Sequence, residues 1–244
     1  MKLTTDGLII REHNALRDSD RFLTVLTRDH GVIRVSVRGA RQLKNRNASA
    51  TQLLCYSRLT LYKGRDTYTV DDAEPLRVFF EVRENLEKLA LAQYFCELAA
   101  VLCPAEESAE EELRLLLNAL HFLAEDSRPQ AHIKAVTELR LLCCAGYMPA
   151  VDRCAVCGCT EFTRFSPLRG VAFCEACNSD AASIPLNGGA WAAMRHVVSA
   201  PFEKCFSFTV SDEALALFAD AVERFLLAQL NRGFLTLDFY KSLG

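Results

Sequence analysis

Two cysteine hooks constrain the fold of this chain more than any other feature. Two residues separate Cys154 from Cys157, and after a further sixteen residues Cys174 and Cys177 repeat that spacing. Two hooks at this separation bring four thiolates around one Zn²⁺ ion in a tetrahedron. The spacing therefore predicts a structural zinc knuckle with one ion per chain, in which the protein fills every coordination position.

Two other interpretations of these cysteines stay open. They are buried free thiols, or a redox-active Cys-x2-Cys pair, which would leave the second hook unexplained. Cys159 is an additional candidate ligand that competes with Cys157, and we assign Cys157 because it completes the two-residue spacing. Gly158 and Gly170 suit the tight turns of a knuckle. The remaining cysteines lie mostly in apolar segments, where we expect core packing: Cys55, Cys96, Cys103, Cys143, Cys144 and Cys205.

The cysteine count also bears on location. The chain has 244 residues and 11 cysteines, an odd number that cannot all pair as disulfides. It contains no apolar run typical of a signal peptide or of a membrane-spanning helix. We therefore expect a cytoplasmic protein without membrane contact, whose paired cysteines bind metal.

The first 80 residues have the patterning of short strands. In residues 33–37 apolar side chains occupy every second position, so Arg34 and Arg38 fall on the opposite face. About five such strands separated by turns favour a small closed barrel. From Val82 the apolar period changes to about 3.6, which is typical of helices, and Ser108 with Glu111 has the spacing of a helix capping box. We predict an α+β fold: a barrel domain at 1–80, then a helical bundle at 81–244 with a zinc-binding insertion at 150–182.

Charge is distributed unevenly along the chain. Residues 1–80 contain 14 basic and 9 acidic residues, a net charge of +5, whereas residues 81–244 contain 14 and 22, a net charge of −8. Residues 30–65 include eight lysines and arginines and no acid. This pattern favours one surface that binds a polyanion.

The residues that we expect to contact nucleic-acid phosphates lie on one strand and the connection after it: Arg34, Arg38, Arg41, Lys44 and Arg46. Each phosphate neutralised on a single strand contributes about −0.7 to the slope of log K against log salt. Tyr62 and Tyr68 are candidates for base stacking, but the sequence does not give the face that they occupy. The alternative is a solvated charged face that protects the edge of a sheet.

Catalytic motifs are missing from the sequence. It has no P-loop, no H-E-x-x-H and no G-x-S-x-G motif, so we expect a protein that is not an enzyme. Two alternatives are kept: a barrel-plus-zinc protein that binds RNA, and a zinc hydrolase that uses Cys159 or a nearby histidine around an incompletely coordinated ion.

Several short motifs resemble the RecO family of bacterial recombination mediators, in the order in which that family has them. They are Thr5-Asp6-Gly7-Leu8-Ile9, Ser19-Asp20-Arg21, Thr27-Arg28-Asp29-His30-Gly31, Arg38-Gly39-Ala40-Arg41, Leu61-Tyr62-Lys63-Gly64-Arg65, Glu138-Leu139-Arg140-Leu141-Leu142, Gly146-Tyr147-Met148-Pro149, Cys154-Ala155-Val156-Cys157-Gly158, Phe165-Ser166-Pro167, Cys174-Glu175-Ala176-Cys177 and Lys241-Ser242-Leu243. The metal segment is similar to the zinc-containing branch of the family.

This resemblance implies an OB-fold barrel and a protein that binds single- and double-stranded DNA and anneals complementary strands. It also implies partnership with RecR and with the acidic tail of single-stranded-DNA-binding protein, whose displacement lets RecA load. Arg38 and Arg41 match the family motif. Arg140 is a candidate anchor for the acidic tail, with a salt bridge at the edge of the core as the alternative. Val136-Thr137 departs from the Arg-Phe pair that commonly precedes the Glu-Leu-Arg motif.

Overall fold

A computed structural model describes residues 2–14, 20–39, 47–65 and 67–244. These residues form two compact units. The first contains the described residues up to Glu125 together with Leu235–Gly244, and the second contains Asp126–Phe234. The predicted domain boundary after residue 80 separates strands from helices, whereas the compact units divide the chain after residue 125.

The first unit is built around a closed five-stranded barrel. Its strands are β1 (Lys2–Asn14), β2 (Arg21–Thr27), β3 (Gly31–Val37), β4 (Cys55–Lys63) and β5 (Tyr68–Val78). They are arranged in the order β1-β2-β3-β5-β4, and β4 pairs back to β1. All neighbours are antiparallel except β3 and β5, which are parallel. This arrangement confirms the predicted barrel.

The alternating pattern of β3 explains how the barrel fills its interior. Ile33, Val35 and Val37 are buried in the barrel core, whereas Arg34 between them is exposed. Successive side chains of a strand point to opposite faces, so an apolar residue at every second position fills one side of the sheet. Ile9 and Val25 on the neighbouring strands face the same core.

Helices cover part of the outer surface of this barrel. They are α1 (Phe80–Arg83), α2 (Leu86–Leu102) and α3 (Glu110–Ala124), and a later helix, Leu235–Lys241, packs on α2. Both α2 and α3 contact the barrel, where the cross-strand pair Leu8 and Leu26 is fully buried outside the barrel core. The predicted capping box is wrong: α3 begins after Ala109 without a side-chain cap, and the Ser108 hydroxyl instead donates to the Arg28 carbonyl at 3.1 Å.

The second unit combines three helices with a small sheet. The helices α4 (Gln130–Cys144), α5 (Gly188–Ser199) and α6 (Asp212–Leu230) pack on one another. The sheet contains β6 (Ala150–Cys154), β7 (Arg164–Ser166), β8 (Val171–Phe173) and β9 (Ile184–Pro185) in the order β6-β8-β7-β9. The ring of Phe165 lies 6.1 Å from Trp191 on α5 and 5.8 Å from Phe225 on α6, so aromatic contacts join the sheet to both helices. We number the helix Leu235–Lys241 as α7.

Within the described residues, every helix is too short or too polar to cross a membrane.

Candidate nucleic-acid interface and metal site

The pairing of β1, β2 and β3 brings a set of polar and aromatic side chains onto one outer face of the barrel. Arg11 pairs with Thr24, which pairs with Arg34, and the next row joins His13, Phe22 and Ser36. Directly paired residues point to the same side of a sheet. We call this surface the β1–β3 face: Arg11, His13, Phe22, Thr24, Arg34 and Ser36.

Two arginines give the β1–β3 face its positive charge. Arg11 and Arg34 are both exposed, and among the described residues neither has a carboxylate partner. Their backbones are two strand spacings apart, about 10 Å, so the two guanidinium groups can contact different phosphates of one nucleic-acid strand. Arg38, just beyond the end of β3, is exposed as well.

Other cations of the barrel are neutralised by carboxylates. Arg58 lies 2.9 Å from Asp6, and Lys63 lies 3.1 Å from Glu106. Lys2 lies 2.9 Å from Asp71. The basic run in the sequence therefore overstates the free charge on the β4 side, because its acidic partners come from distant parts of the chain.

His13 lies on β1 in the row next to Arg11 and Arg34. Burial lowers the pKa of His13, and the charges of Arg11 and Arg34 lower it further. Its Nε2 atom lies 2.9 Å from the Thr24 hydroxyl. The lowered pKa favours the neutral form of the imidazole, and a phosphate bound in this positive field would favour the protonated form.

The remaining predicted contact residues are placed differently. Arg41, Lys44 and Arg46 lie outside the described residues, so their contribution stays a prediction. The prediction that Tyr68 stacks on a base is wrong. Tyr68 is buried in the barrel core, and its hydroxyl donates to the Glu106 carboxylate at 2.9 Å. Tyr62 is exposed on β4, where the Lys2 ammonium lies 5.6 Å from the centre of its ring.

The two cysteine hooks meet as the spacing predicts. Cys154 ends β6, which pairs in parallel with β8, and Cys174 directly follows β8. The Sγ atoms of Cys154, Cys157, Cys174 and Cys177 all lie within 4.8 Å of one another. Gly158 and Gly170 both have positive φ, at 73° and 63°, and a Cβ on Gly170 would lie 2.8 Å from Phe225. Glycine is therefore required at the turn between β7 and β8.

The geometry and chemistry of this donor set fit a tetrahedral zinc ion. The Sγ atoms of Cys157 and Cys174 are 3.8 Å apart, and Zn–S bonds of ~2.3 Å at tetrahedral angles separate two sulfur atoms by about 3.8 Å. Hydrogen bonds from the backbone N–H groups of Cys157, Cys174 and Val156 lower the pKa of Cys154 to about 6. Contacts with the thiols of Cys174 and Cys157 raise the pKa of Cys177 to about 12. Thiols this close ionise together only when a cation lies among them.

Cys159 lies beside this group but is not one of the four. Its thiol donates to the Glu161 carbonyl at 3.1 Å. A hydrogen bond with the Cys157 side chain, burial, and a hydrogen bond with the Cys174 side chain raise the pKa of Cys159 to about 12.

Arg140 has a structural role within the second unit. Its Nη1 atom donates to the carbonyls of Val197 and Val198, at 3.0 and 3.3 Å, near the end of α5. The acceptors are helix carbonyls, which cations at a helix C-terminus stabilise. The alternative for Arg140 is a salt bridge at the edge of the core. The buried salt bridge on this helix is formed by other residues: the Lys134 ammonium lies 2.8 Å from the Glu138 carboxylate.

Sequence reasoning missed Arg11, His13 and Phe22. What identifies these three residues as part of the site is the pairing register of β1 with β2 and of β2 with β3, which places them next to Thr24 and Arg34. A β-bulge between Ile9 and Arg11 hides that signal, because it moves Arg11 to the outer face although Ile9, two residues earlier, faces the core.

Comparison with known proteins covers nearly the whole chain. The family model described as "Recombination protein O N terminal" matches residues 1–79, and "Recombination protein O C terminal" matches residues 83–238. The chain is similar to "DNA repair protein RecO" of Acetivibrio thermocellus, with 33% identity over 99% of this chain and 97% of the relative. It is also similar to the proteins of that name from Symbiobacterium thermophilum, at 31% identity over 98% of this chain and 96% of the relative, and Desulforudis audaxviator, at 32% identity over the same shares.

Proposed function

Because the chain belongs to the RecO family of DNA repair proteins, we propose that it binds single- and double-stranded DNA and anneals complementary strands. With RecR, it assists RecA in loading onto DNA coated by single-stranded-DNA-binding protein. The DNA lies in the cytoplasm, and the protein is associated with the nucleoid. The observation that carries the proposal is the pair of arginines, Arg11 and Arg34, that lack carboxylate partners among the described residues of the β1–β3 face.

Electrostatic screening is the proposed mechanism of annealing. Two single strands repel each other through their phosphates, and this repulsion slows their pairing. Arginines on the β1–β3 face neutralise part of that charge and release condensed counterions when DNA binds. No covalent step is needed, so the protein acts as a mediator and not as an enzyme.

Phe22 adds a sequence-independent contact to this mechanism. The ring is half-buried on β2 and lies in the row next to Arg11 and Arg34. Stacking of one base on an aromatic side chain contributes about 1–3 kcal/mol and tolerates every base. A strand held by its phosphates and by one stacked base keeps its other bases free to pair.

The metal has a structural role in this proposal. We assign one Zn²⁺ ion to Cys154, Cys157, Cys174 and Cys177, where it braces a segment with little core of its own. Four thiolates fill a tetrahedral ion and leave no position for a water molecule, which argues against a zinc hydrolase. The RNA-binding alternative predicts tighter binding of RNA than of DNA of the same sequence, since it requires a 2′-hydroxyl.

The protein partners are proposed from family membership. RecR and the acidic tail of single-stranded-DNA-binding protein are the expected partners, and RecA acts downstream. The role of Arg140 as an anchor for the acidic tail stays a prediction. In the free protein, its Nη1 atom donates to two helix carbonyls.

A strand-annealing assay tests the proposed function. Complementary labelled oligonucleotides, bare or coated with single-stranded-DNA-binding protein, are expected to pair faster with this protein than without it. RNA competitors of the same sequence serve as the control and should not outcompete DNA. A protein that ignores oligonucleotides even at low salt would disprove the proposal.

The affinity for DNA is expected to rise as the pH falls from 7 towards 5.5. The pKa of His13 is lowered in the free protein, and a phosphate bound beside it raises that pKa, so binding takes up a proton. One titrating group changes affinity by at most about tenfold per pH unit. Fluorescence anisotropy at constant ionic strength measures the effect, and His13→Gln should remove the part due to this residue. An unchanged pH dependence in that variant would place the phosphates away from His13.

A further inference from the structure

The metal site has five thiols for four coordination positions. Of the four assigned ligands, Cys157 is the exposed one; Cys154 is buried, and Cys174 and Cys177 are half-buried. Cys159 is half-buried as well. The most exposed cysteine of the group is thus a ligand, and a less exposed cysteine lies beside it; exposure favours attack by oxidants and electrophiles.

The backbone holds Cys159 next to the site. The N–H group of Cys154 donates to the Cys159 carbonyl at 2.8 Å, and the N–H group of Gly158 donates to the Cys154 carbonyl at 3.0 Å. These two bonds close the loop 154–159 on itself. The backbone of Cys159 is therefore held beside that of Cys154, one of the four assigned ligands.

Little opposes a movement of the Cys159 thiol towards the ion. The Cys159 thiol donates to the Glu161 carbonyl, and a thiol is a weak donor. Gly158, between Cys157 and Cys159, has a φ of 73°, and the position of its missing Cβ faces open space. A groove of about 810 Å³, lined by Cys159 and Cys174 among others, leaves room on the same side.

We propose that Cys159 is a reserve ligand that replaces Cys157 in the metal site. In this exchange the Zn–S bond to Cys157 breaks, and a Zn–S bond to Cys159 forms. The proton of the Cys159 thiol passes to the Cys157 thiolate, directly or through water, and no atom changes oxidation state. Cys154, Cys174 and Cys177 remain bound throughout. When Cys157 is alkylated or oxidised by a peroxide, the second ligand set keeps the ion and the fold of the hooks.

The inference rests on the proposed zinc site, and the test separates the two. Full-length wild type, Cys157→Ser, Cys159→Ser and the double variant are loaded with Co²⁺, and the sulfur-to-cobalt absorption gives the number of thiolate ligands. Zinc affinity is measured by competition with a chelator. A wild type without four-sulfur absorption would contradict the zinc site itself.

With the site present, both single variants are expected to keep four-sulfur absorption and a zinc affinity close to that of the wild type. The double variant should fall to three sulfurs and lose at least about 100-fold in affinity. If Cys157→Ser behaves like the double variant, or does not fold while Cys159→Ser does, Cys159 is no reserve ligand. Loss of one sulfur in Cys159→Ser would make it a resident ligand and would also overturn the inference.

Discussion

Metal-free protein is expected to lose the order of residues 150–186 while the barrel stays folded. The four strands of this segment have between two and five residues each, too few to stabilise a sheet alone. Apparent binding free energies of structural zinc ions in small fingers are about 10–16 kcal/mol. The effect here is expected to be smaller but still several kcal/mol, because the burial of Phe165 and Phe173 in the structure also stabilises the segment.

Hydrogen exchange measured by mass spectrometry is the readout for metal removal. Peptides covering 150–160 and 170–180 should exchange much faster after chelation, or in Cys174→Ser, whereas peptides covering β1 to β3 should not change. Cys143→Ser is the matched control: the same atom is replaced in the same unit, but Cys143 is not in the metal group. Hooks that stay protected after the ion is removed would mean that the aromatic contacts alone hold the segment.

Local patterns allowed a large part of the molecule to be predicted. The alternation around Ile33 and Val35 predicted which side of β3 is buried, because strand geometry depends only on neighbours in sequence. The spacing of Cys154 and Cys157 predicted a turn that directs both thiols to one point. Both features belong to a few consecutive residues.

Long-range pairing explains the features that the sequence did not predict. The ion pair between Arg58 and Asp6 joins residues 52 positions apart, so a count of charges along the chain treated Arg58 as free. The Ser108 hydroxyl caps no helix, since its acceptor, the Arg28 carbonyl, lies 80 positions away. Tyr68 enters the core because β5 pairs with both β3 and β4. None of these partners follows from local propensity.

The same reasoning explains why the two units were not visible in the sequence. The helical period begins at about residue 82 and continues with interruptions to the end of the chain. It does not reveal that α1, α2 and α3 group with the barrel and that α4, α5 and α6 group with the small sheet. That choice depends on which apolar faces match, for example on the pair Leu8 and Leu26, which is buried outside the barrel core.

Reversing both charges of the β1–β3 face, in Arg11→Glu with Arg34→Glu, is expected to weaken the binding of single-stranded DNA at least about tenfold at low salt. Loss of two phosphate contacts should also reduce the slope of log K against log salt by about 1.4. Both side chains are exposed, so the fold should survive, and a thermal melt checks this. Binding measured by anisotropy across a salt series gives the affinity and the slope together.

The control for net charge is the double variant Arg58→Glu with Lys63→Glu on β4. It changes the charge of the barrel by the same amount, but its two cations are paired with Asp6 and Glu106 in the free protein. The side chains of Arg58 and Lys63 are both about half exposed, and ion pairs at the surface contribute little to stability, so this variant is expected to fold; a thermal melt checks this, because the Asp6 carboxylate is only 13% exposed. If the β1–β3 face binds the strand, the control variant keeps most of its affinity for DNA and its salt slope. The reason is that Arg58 and Lys63 stay paired with carboxylates and make no contact with the DNA phosphates. Equal losses in the two double variants would mean that DNA responds to the overall charge of the barrel, and the proposed location of the interface would be wrong.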